Sequence, residues 1–307
     1  MMFTHHKKLI EKAKIQDVPY CAICYPCELT AIESGIEAHK LGLLNPIFVG
    51  PSDEIKAIAK KHNIALDQFQ IIDAKTEAAA AAMSVQLIRE NKAQLLMKGS
   101  LHTDVMLKAV VNKETGLRTG KRITHAFLMD GPEWETPYII TDAAINIFPD
   151  LVTKMHITQN AIDLHHALGY GVPRVAILSA VEMVNPDIPS TLEAAALCKM
   201  ADRGQIRNGV VDGPLALDNA VSMAAARMKK LDTPVTGQAQ ILIVPNLEAG
   251  NILFKALSFI GAEKNRADSA GIVLGAKAPI ILTSRASSLN SRLVSCAMAK
   301  LSYYHTL

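Results

Sequence analysis

Short apolar runs alternate with helical segments along nearly the whole chain, and this alternation restricts it to an α/β architecture. After an opening helix over 3–13, residues 18–25 read as a buried strand. Residues 28–41 then carry helical periodicity up to Gly42, which suits a C-cap. The pattern repeats as strand 46–49, helix 53–62, strand 68–72, an Ala-rich helix 77–91, and strand 94–97 running into Lys98-Gly99-Ser100. Two extended stretches follow, 122–129 and 137–141, with Gly131-Pro132 between them as a hairpin-like connection. Helix 153–168, strand 174–178, a helix from Thr191 capped by Ser190, strand 209–211, helix 217–229, strand 241–244 and helix 249–259 come next. Strands 271–274 and 280–283 and a helix from Ser288 complete the pattern. Such βαβ repetition predicts a parallel sheet wrapped by helices.

Length and composition sharpen this. With 307 residues the chain suits two domains of ordinary size. Half of it is hydrophobic but only 5% aromatic, which favours helices on a sheet over an all-β sandwich. A net charge of +3 without a long basic run gives no nucleic-acid signature. The sequence has no run of about 18 apolar residues and no signal peptide, so a cytoplasmic protein with no membrane partner is expected.

Cys21, Cys24 and Cys27 form C-x2-C-x2-C, which lacks a fourth ligand for a metal or cluster; Cys198 and Cys296 stand alone. The expectation is that Cys21 and Cys24 behave as small apolar residues in the first strand. His165 and His166 are adjacent on a helix and cannot easily face one ion, so no metal site is predicted.

Four strand-end loops combine small residues with polar or cationic ones. In open α/β sheets ligands bind at the carboxyl ends of strands. The first loop is Lys98-Gly99-Ser100-Leu101-His102-Thr103, with Lys108 on the helix beyond. Gly99 admits close backbone approach, and the lysines supply positive charge, although a plain strand-to-helix turn fits the same residues. The second is Asp212-Gly213-Pro214-Leu215, with Asp218 as a cap or partner in the following helix. Pro245 to Asn251 forms the third, where Gly250-Asn251 either holds a substrate or makes a turn. The fourth is Thr283-Ser284-Arg285, delivered by an apolar strand. Its guanidinium fork matches a phosphate, and the hydroxyls lie beside it. There is no P-loop, no G-x-G-x-x-G after the first strand and no G-x-S-x-G elbow. Together these features describe an α/β enzyme that binds an anionic small molecule.

A set of segments in order then resembles one family. They are Asn112-Lys-Glu-Thr-Gly-Leu-Arg-Thr-Gly120, Ile188-Pro-Ser-Thr-Leu-Glu-Ala-Ala195, Lys199-Met-Ala-Asp-Arg-Gly-Gln-Ile206, Val211-Asp-Gly-Pro-Leu-Ala-Leu-Asp218, Pro245-Asn-Leu-Glu-Ala-Gly-Asn251 and Leu282-Thr-Ser-Arg-Ala286. They resemble the phosphate acetyl/butyryltransferases, most of all the phosphotransbutyrylase branch. The resemblance implies exchange of a short acyl group, butyryl or branched, between coenzyme A and inorganic phosphate, with no cofactor. It implies two α/β/α domains with a central cleft, of the isocitrate/isopropylmalate dehydrogenase type, assembled as a homodimer or larger homo-oligomer. The domains expected are 1–120 with 272–307, and 121–271.

By the same resemblance Ser284 and Arg285 are the catalytic pair. Lys98, Gly99, Ser100, Lys108, Asn251 and Thr283 are the expected substrate-binding residues, with Lys108 near the place of a phosphate-holding arginine. The chain departs from the family at Asn290 and Ser291, where an acid proposed as general base is expected six or seven residues after the serine. Two alternatives follow. One is a non-catalytic acyl-CoA or acyl-phosphate sensor. The other is an NAD-dependent decarboxylating dehydrogenase, for which the sequence has no acidic metal cluster.

Overall fold

The computed structural model describes residues 2–132, 134–260, 262–283 and 287–305. The chain forms two compact units, one made of Thr4–Ile123 with Ala270–Leu307 and the other of Thr124–Ser269.

The first unit opens with α1 (Thr4–Ala13), β1 (Tyr20–Cys24), α2 (Leu29–Lys40), β2 (Asn45–Gly50) and α3 (Ser52–Lys61). It continues with β3 (Gln70–Asp73), α4 (Glu77–Arg89), β4 (Leu95–Lys98) and α5 (Thr103–Val110). β1 and β4 are almost wholly buried, which explains why they read as continuous apolar runs and not as alternating ones. Cys21 and Cys24 lie fully buried in β1, as small apolar residues do. Gly42 takes φ +70° behind α2, and Leu43 N donates to Ala38 O at 2.8 Å, so the expected glycine stop is a left-handed C-cap.

The second unit holds β5 (Thr124–Asp130), β6 (Tyr138–Thr141), α6 (Leu151–Leu168), β7 (Arg174–Leu178), α7 (Pro189–Asp202) and β8 (Val210–Leu215). α8 (Leu217–Val221), α9 (Met223–Met228), β9 (Ile241–Ile243) and α10 (Leu247–Phe259) follow. Its strands lie in the order β5-β6-β9-β7-β8. Phe127 of β5 stacks on Phe254 of α10 with centroids 3.9 Å apart, at the heart of this unit's core.

β10 (Asp268–Leu274), β11 (Ile280–Ile281) and α11 (Leu289–His305) return the chain to the first unit, whose strand order is β3-β2-β1-β4-β11-β10. α11 is anchored by buried Lys300, which donates to Gln16 O and Gly42 O, each at 2.9 Å.

Four sequence expectations need correction. The sheet is mixed: β5 and β6 form the antiparallel hairpin, and β10 and β11 are antiparallel as well. The link between β10 and β11 is too short for a crossover, so the chain must double back. The strand placed at 209–211 runs on through Gly213 and Pro214 to Leu215, because β8 is an edge strand and can spare the missing N–H. The helix placed at 217–229 breaks at Ser222, whose hydroxyl accepts Ala225 N and starts a new helix. Ser190 does not cap α7; the helix starts at Pro189, and Ser190 Oγ meets Ser179 Oγ at 2.8 Å.

Candidate active site

β1, β4 and β11 are neighbours in the first unit and run parallel, so their carboxyl ends open on one edge. Ile280 pairs with Leu96 and Ile281 with Met97. Carried two residues further, that register brings Thr283 level with Gly99. Lys98, Gly99 and Ser100 lie at this edge, and Thr283 follows two residues after the last paired residue of β11, Ile281. Ser284 and Arg285, the residues that follow Thr283, lie outside the described residues.

The β4 loop is held against the β1 loop by its backbone. Gly99 N donates to Cys24 O at 2.8 Å and Ser100 N to Tyr25 O at 2.9 Å. A Cβ on Gly99 would sit 2.4 Å from Cys24 O and 2.5 Å from Tyr25 O, so no larger residue fits. Ser100 Oγ donates to Tyr25 O at 2.8 Å and accepts Cys27 N at 3.1 Å. The serine expected to touch substrate thus also ties two loops together. Lys98 is 9% exposed, and its Nζ donates to Gly99 O at 3.2 Å, which keeps the ammonium at the loop.

Lys108 stands exposed on α5, in a groove of about 900 Å³ between α4 and α5 that also takes in Gln86, Asn112 and Thr115. Asn251 belongs to the second unit, where its Nδ2 donates to Ala143 O at 3.2 Å. That carbonyl lies in a turn built by Asp142, which sequence reasoning passed over. The buried carboxylate accepts Ala144 N and Ile145 N at 3.0 Å through Oδ1, and His125 N at 3.2 Å and Asn146 Nδ2 at 2.6 Å through Oδ2. The signal for it was an Asp at the end of a strand followed by small residues, the makings of an Asx turn.

Asn290 and Ser291 occupy the first turn of α11. Ser291 is buried, its amide donates to Ser288 Oγ at 3.1 Å, and the two hydroxyls meet at 3.1 Å. Ser288 is thus the cap of α11, and Ser291 is part of that cap.

The thiols on this side of the first unit are poor nucleophiles. Burial, with the Glu54 carboxylate beside it, pushes Cys27 up to about 12, and burial does the same to Cys24. A thiolate is the reactive form, and burial disfavours it at both residues. Among the described residues no three of His, Cys, Asp and Glu are grouped to hold a metal ion. None of the described helices is long and apolar enough to cross a membrane.

A buried lysine and flanking hydroxyls at parallel strand ends, on loops that a glycine lets pack closely, suit an α/β enzyme that handles a small anion. Residues 77–300 match the family model described as "Phosphate acetyl/butaryl transferase". The phosphate acetyltransferase of Rhizobium meliloti is 53% identical over 296 residues, covering 96% of this chain and 92% of the relative. The phosphate butyryltransferase of Clostridium acetobutylicum is 39% identical over 300 residues, covering 98% of each. A crystal structure of a branched-chain phosphotransacylase from Enterococcus faecalis V583 superposes with a TM-score of 0.80 at 29% identity, covering 93% of this chain and 99% of that one. The chain belongs to the phosphate acetyl/butyryltransferase family and is a phosphate acyltransferase.

Proposed function

We propose that the protein exchanges a short acyl group between coenzyme A and inorganic phosphate, acyl-CoA + phosphate = acyl phosphate + CoA, at the carboxyl edge of β1, β4 and β11. The observation that carries this is the parallel pairing of β4 and β11, which sets Lys98 and Gly99 beside the strand that leads into Thr283, Ser284 and Arg285. A phosphate oxygen attacks the thioester carbonyl carbon, the C–S bond breaks, and CoA leaves as thiolate.

Phosphate is already an anion, and the thiol's ordinary pKa near ~8.5 makes thiolate a good leaving group. The larger task is to hold two anions together and stabilise the carbonyl oxyanion. Lys98 and Arg285 supply charge for the phosphate, and Thr283 and Ser284 supply hydroxyls. Gly99 lets the β1 loop close against the end of β4, which fixes the floor of this edge. Lys108 offers a cation to the phosphate-bearing part of CoA. Asn251 keeps a free carboxamide oxygen among the described residues for substrate. No metal ion or organic cofactor enters this chemistry.

The acyl group is short. The butyryl or branched expectation is supported by the Clostridium and Enterococcus names, while the Rhizobium relative, more similar in sequence than the Clostridium one, is named for acetyl. A two-domain fold of the isocitrate/isopropylmalate dehydrogenase type, a homodimeric assembly and a cytoplasmic location belong to the same proposal, supported by the order of the family-like segments.

The test is thiol release from acetyl-CoA and butyryl-CoA, with and without phosphate. Phosphate-dependent release is expected, and the ratio of the two rates reports the acyl preference. CoA binding without release at any pH from 6 to 9 would overturn the proposal in favour of a sensor.

A further inference from the structure

The first unit has a second edge, at the amino ends of β4 and β11, opposite the one where Lys98 and Gly99 lie. α4 and α11 follow strands that end at the carboxyl edge and run back along the sheet, so their last turns reach this amino edge. A cavity of about 430 Å³ opens there. It is lined by Arg89, Asn91 and Gln94 at and beyond the end of α4, by Lys277 ahead of β11, and by Tyr303 near the end of α11. The volume falls at the lower end of the roughly 300–1,000 Å³ usual for small-molecule sites.

The charge on its walls has one sign. Arg89 and Lys277 line the cavity, and no Asp or Glu does among the described residues. Both cations are exposed, and neither side chain has a hydrogen bond or ion pair among the described residues. The carboxylate next to Arg89 is committed elsewhere. Glu90 Oε2 lies 2.8 Å from Lys92 Nζ, and its Oε1 accepts Gln86 Nε2 at 2.7 Å.

The helix end does not cancel this charge. The last carbonyls of α4 are used within the chain: Ile88 O accepts Asn91 N at 3.1 Å, and Leu87 O accepts Lys92 N at 2.9 Å. Each helix end carries about half a negative charge, so two ends still leave an excess of positive charge beside two basic side chains. Asn91 makes the turn at φ +57°, a left-handed conformation that asparagine tolerates. Gln94 then ties the turn down. Its Nε2 donates to Asn91 O at 3.0 Å and its Oε1 accepts Tyr20 N at 2.9 Å, so the cavity floor is formed without a ligand.

We propose that this cavity is a second anion site, which binds a small phosphate ester of about mononucleotide size. The Arg89 guanidinium and the Lys277 ammonium hold the phosphate. The Asn91 carboxamide meets a polar group of the organic part, and Tyr303 borders it. The site is separate from the edge where phosphate reacts, and it stands whether or not the exchange reaction does. Arg89 also borders the groove that holds Lys108, so Lys277 gives the cleaner variant.

The experiment follows backbone amide chemical shifts as AMP is added to wild type, Lys277→Gln, Arg89→Gln and Lys98→Met. Adenosine and inorganic phosphate serve as comparison ligands. AMP should move the amides of Asn91, Ala93, Lys277 and Ala278 saturably. Binding at the reacting edge reads separately, at Gly99 and Ser100. Lys277→Gln and Arg89→Gln should each need about 10-fold more AMP or worse, the scale of one lost charge-assisted hydrogen bond. Lys98→Met should leave this response unchanged. Adenosine should not produce it, and inorganic phosphate should require higher concentrations because it fills only part of the cavity. Movement at Gly99 and Ser100 alone, an equal response in Lys277→Gln and Arg89→Gln, or adenosine acting as well as AMP would overturn the proposal. Inorganic phosphate binding as tightly as AMP would overturn the phosphate ester as the ligand.

Discussion

The hydroxyl of Ser100 donates to the carbonyl of Tyr25 at 2.8 Å, joining residues on the loops that leave β4 and β1. Tyr25 itself sits at φ +54°, a left-handed conformation that a tyrosine adopts at a cost. The bond from Ser100 helps to hold it there. Because the same hydroxyl also accepts Cys27 N, one side chain sets the relative position of both loops at the proposed phosphate edge.

Replacing Ser100 by Ala should therefore loosen the edge as well as weaken the fold. Tyr25 O keeps the amides of Ser100 and Cys27 as donors, so the cost is that of two lost hydrogen bonds, about 1–3 kcal/mol. Urea unfolding of Ser100→Ala should show that loss. KM for phosphate should rise with it. An unchanged midpoint and unchanged KM would assign Ser100 no part in the loop.

Gly99→Ala should be worse. The added methyl meets the backbone carbonyl oxygens of Cys24 and Tyr25 at 2.4 and 2.5 Å, and Cys24 is the last β1 residue paired with β4. Overpacking of this kind costs about 1–3 kcal/mol or more. A lowered melting temperature together with lost turnover is expected in Gly99→Ala, whereas Gly120→Ala, whose added Cβ meets nothing within 4 Å, should leave both nearly unchanged.

Acid sensitivity should trace in part to His165 in the second unit. Burial pulls its pKa down to about 4, partly offset by the Gly171 carbonyl 3.0 Å from Nδ1 and helped by neighbouring His166. The ordinary value is about 6.5. Between pH 4 and 6.5 the unfolded chain therefore binds a proton that the folded one refuses, and stability falls as pH falls through that window. The contribution is on the order of 3 kcal/mol, complete above pH 6.5 and lost by about pH 4. His165→Gln keeps an N–H for Gly171 but does not titrate. Its stability between pH 4 and 7 should be flatter than wild type, and an identical slope would exclude His165 as the source.

How far the chain could be read from sequence differs by element. The βα repeats of the first unit were legible because β1 and β4 are buried on both faces and leave unbroken apolar runs. The antiparallel β10–β11 pair was not, since two adjacent apolar strands look alike whichever way they run, and only the short link between them decides. The edge strand β8 hid behind Gly213-Pro214, a pair that usually marks a turn. At the site, Lys98 and Gly99 were legible from their place after an apolar strand. The Ser100 tie and the Asp142 turn were not, because both depend on which backbone groups come near the side chain in three dimensions.

The central claim is that phosphate is handled at the carboxyl edge of β4 with the aid of Lys98. The most direct test is kcat/KM for phosphate in Lys98→Met, measured at saturating acyl-CoA beside a thermal melt. Removing a preorganised cation from a reacting anion typically costs 10²–10³-fold. A loss on that scale, with the fold retained and CoA still bound, is the expected result. Wild-type kcat/KM for phosphate in a folded Lys98→Met protein would contradict the account and move the phosphate site away from this edge.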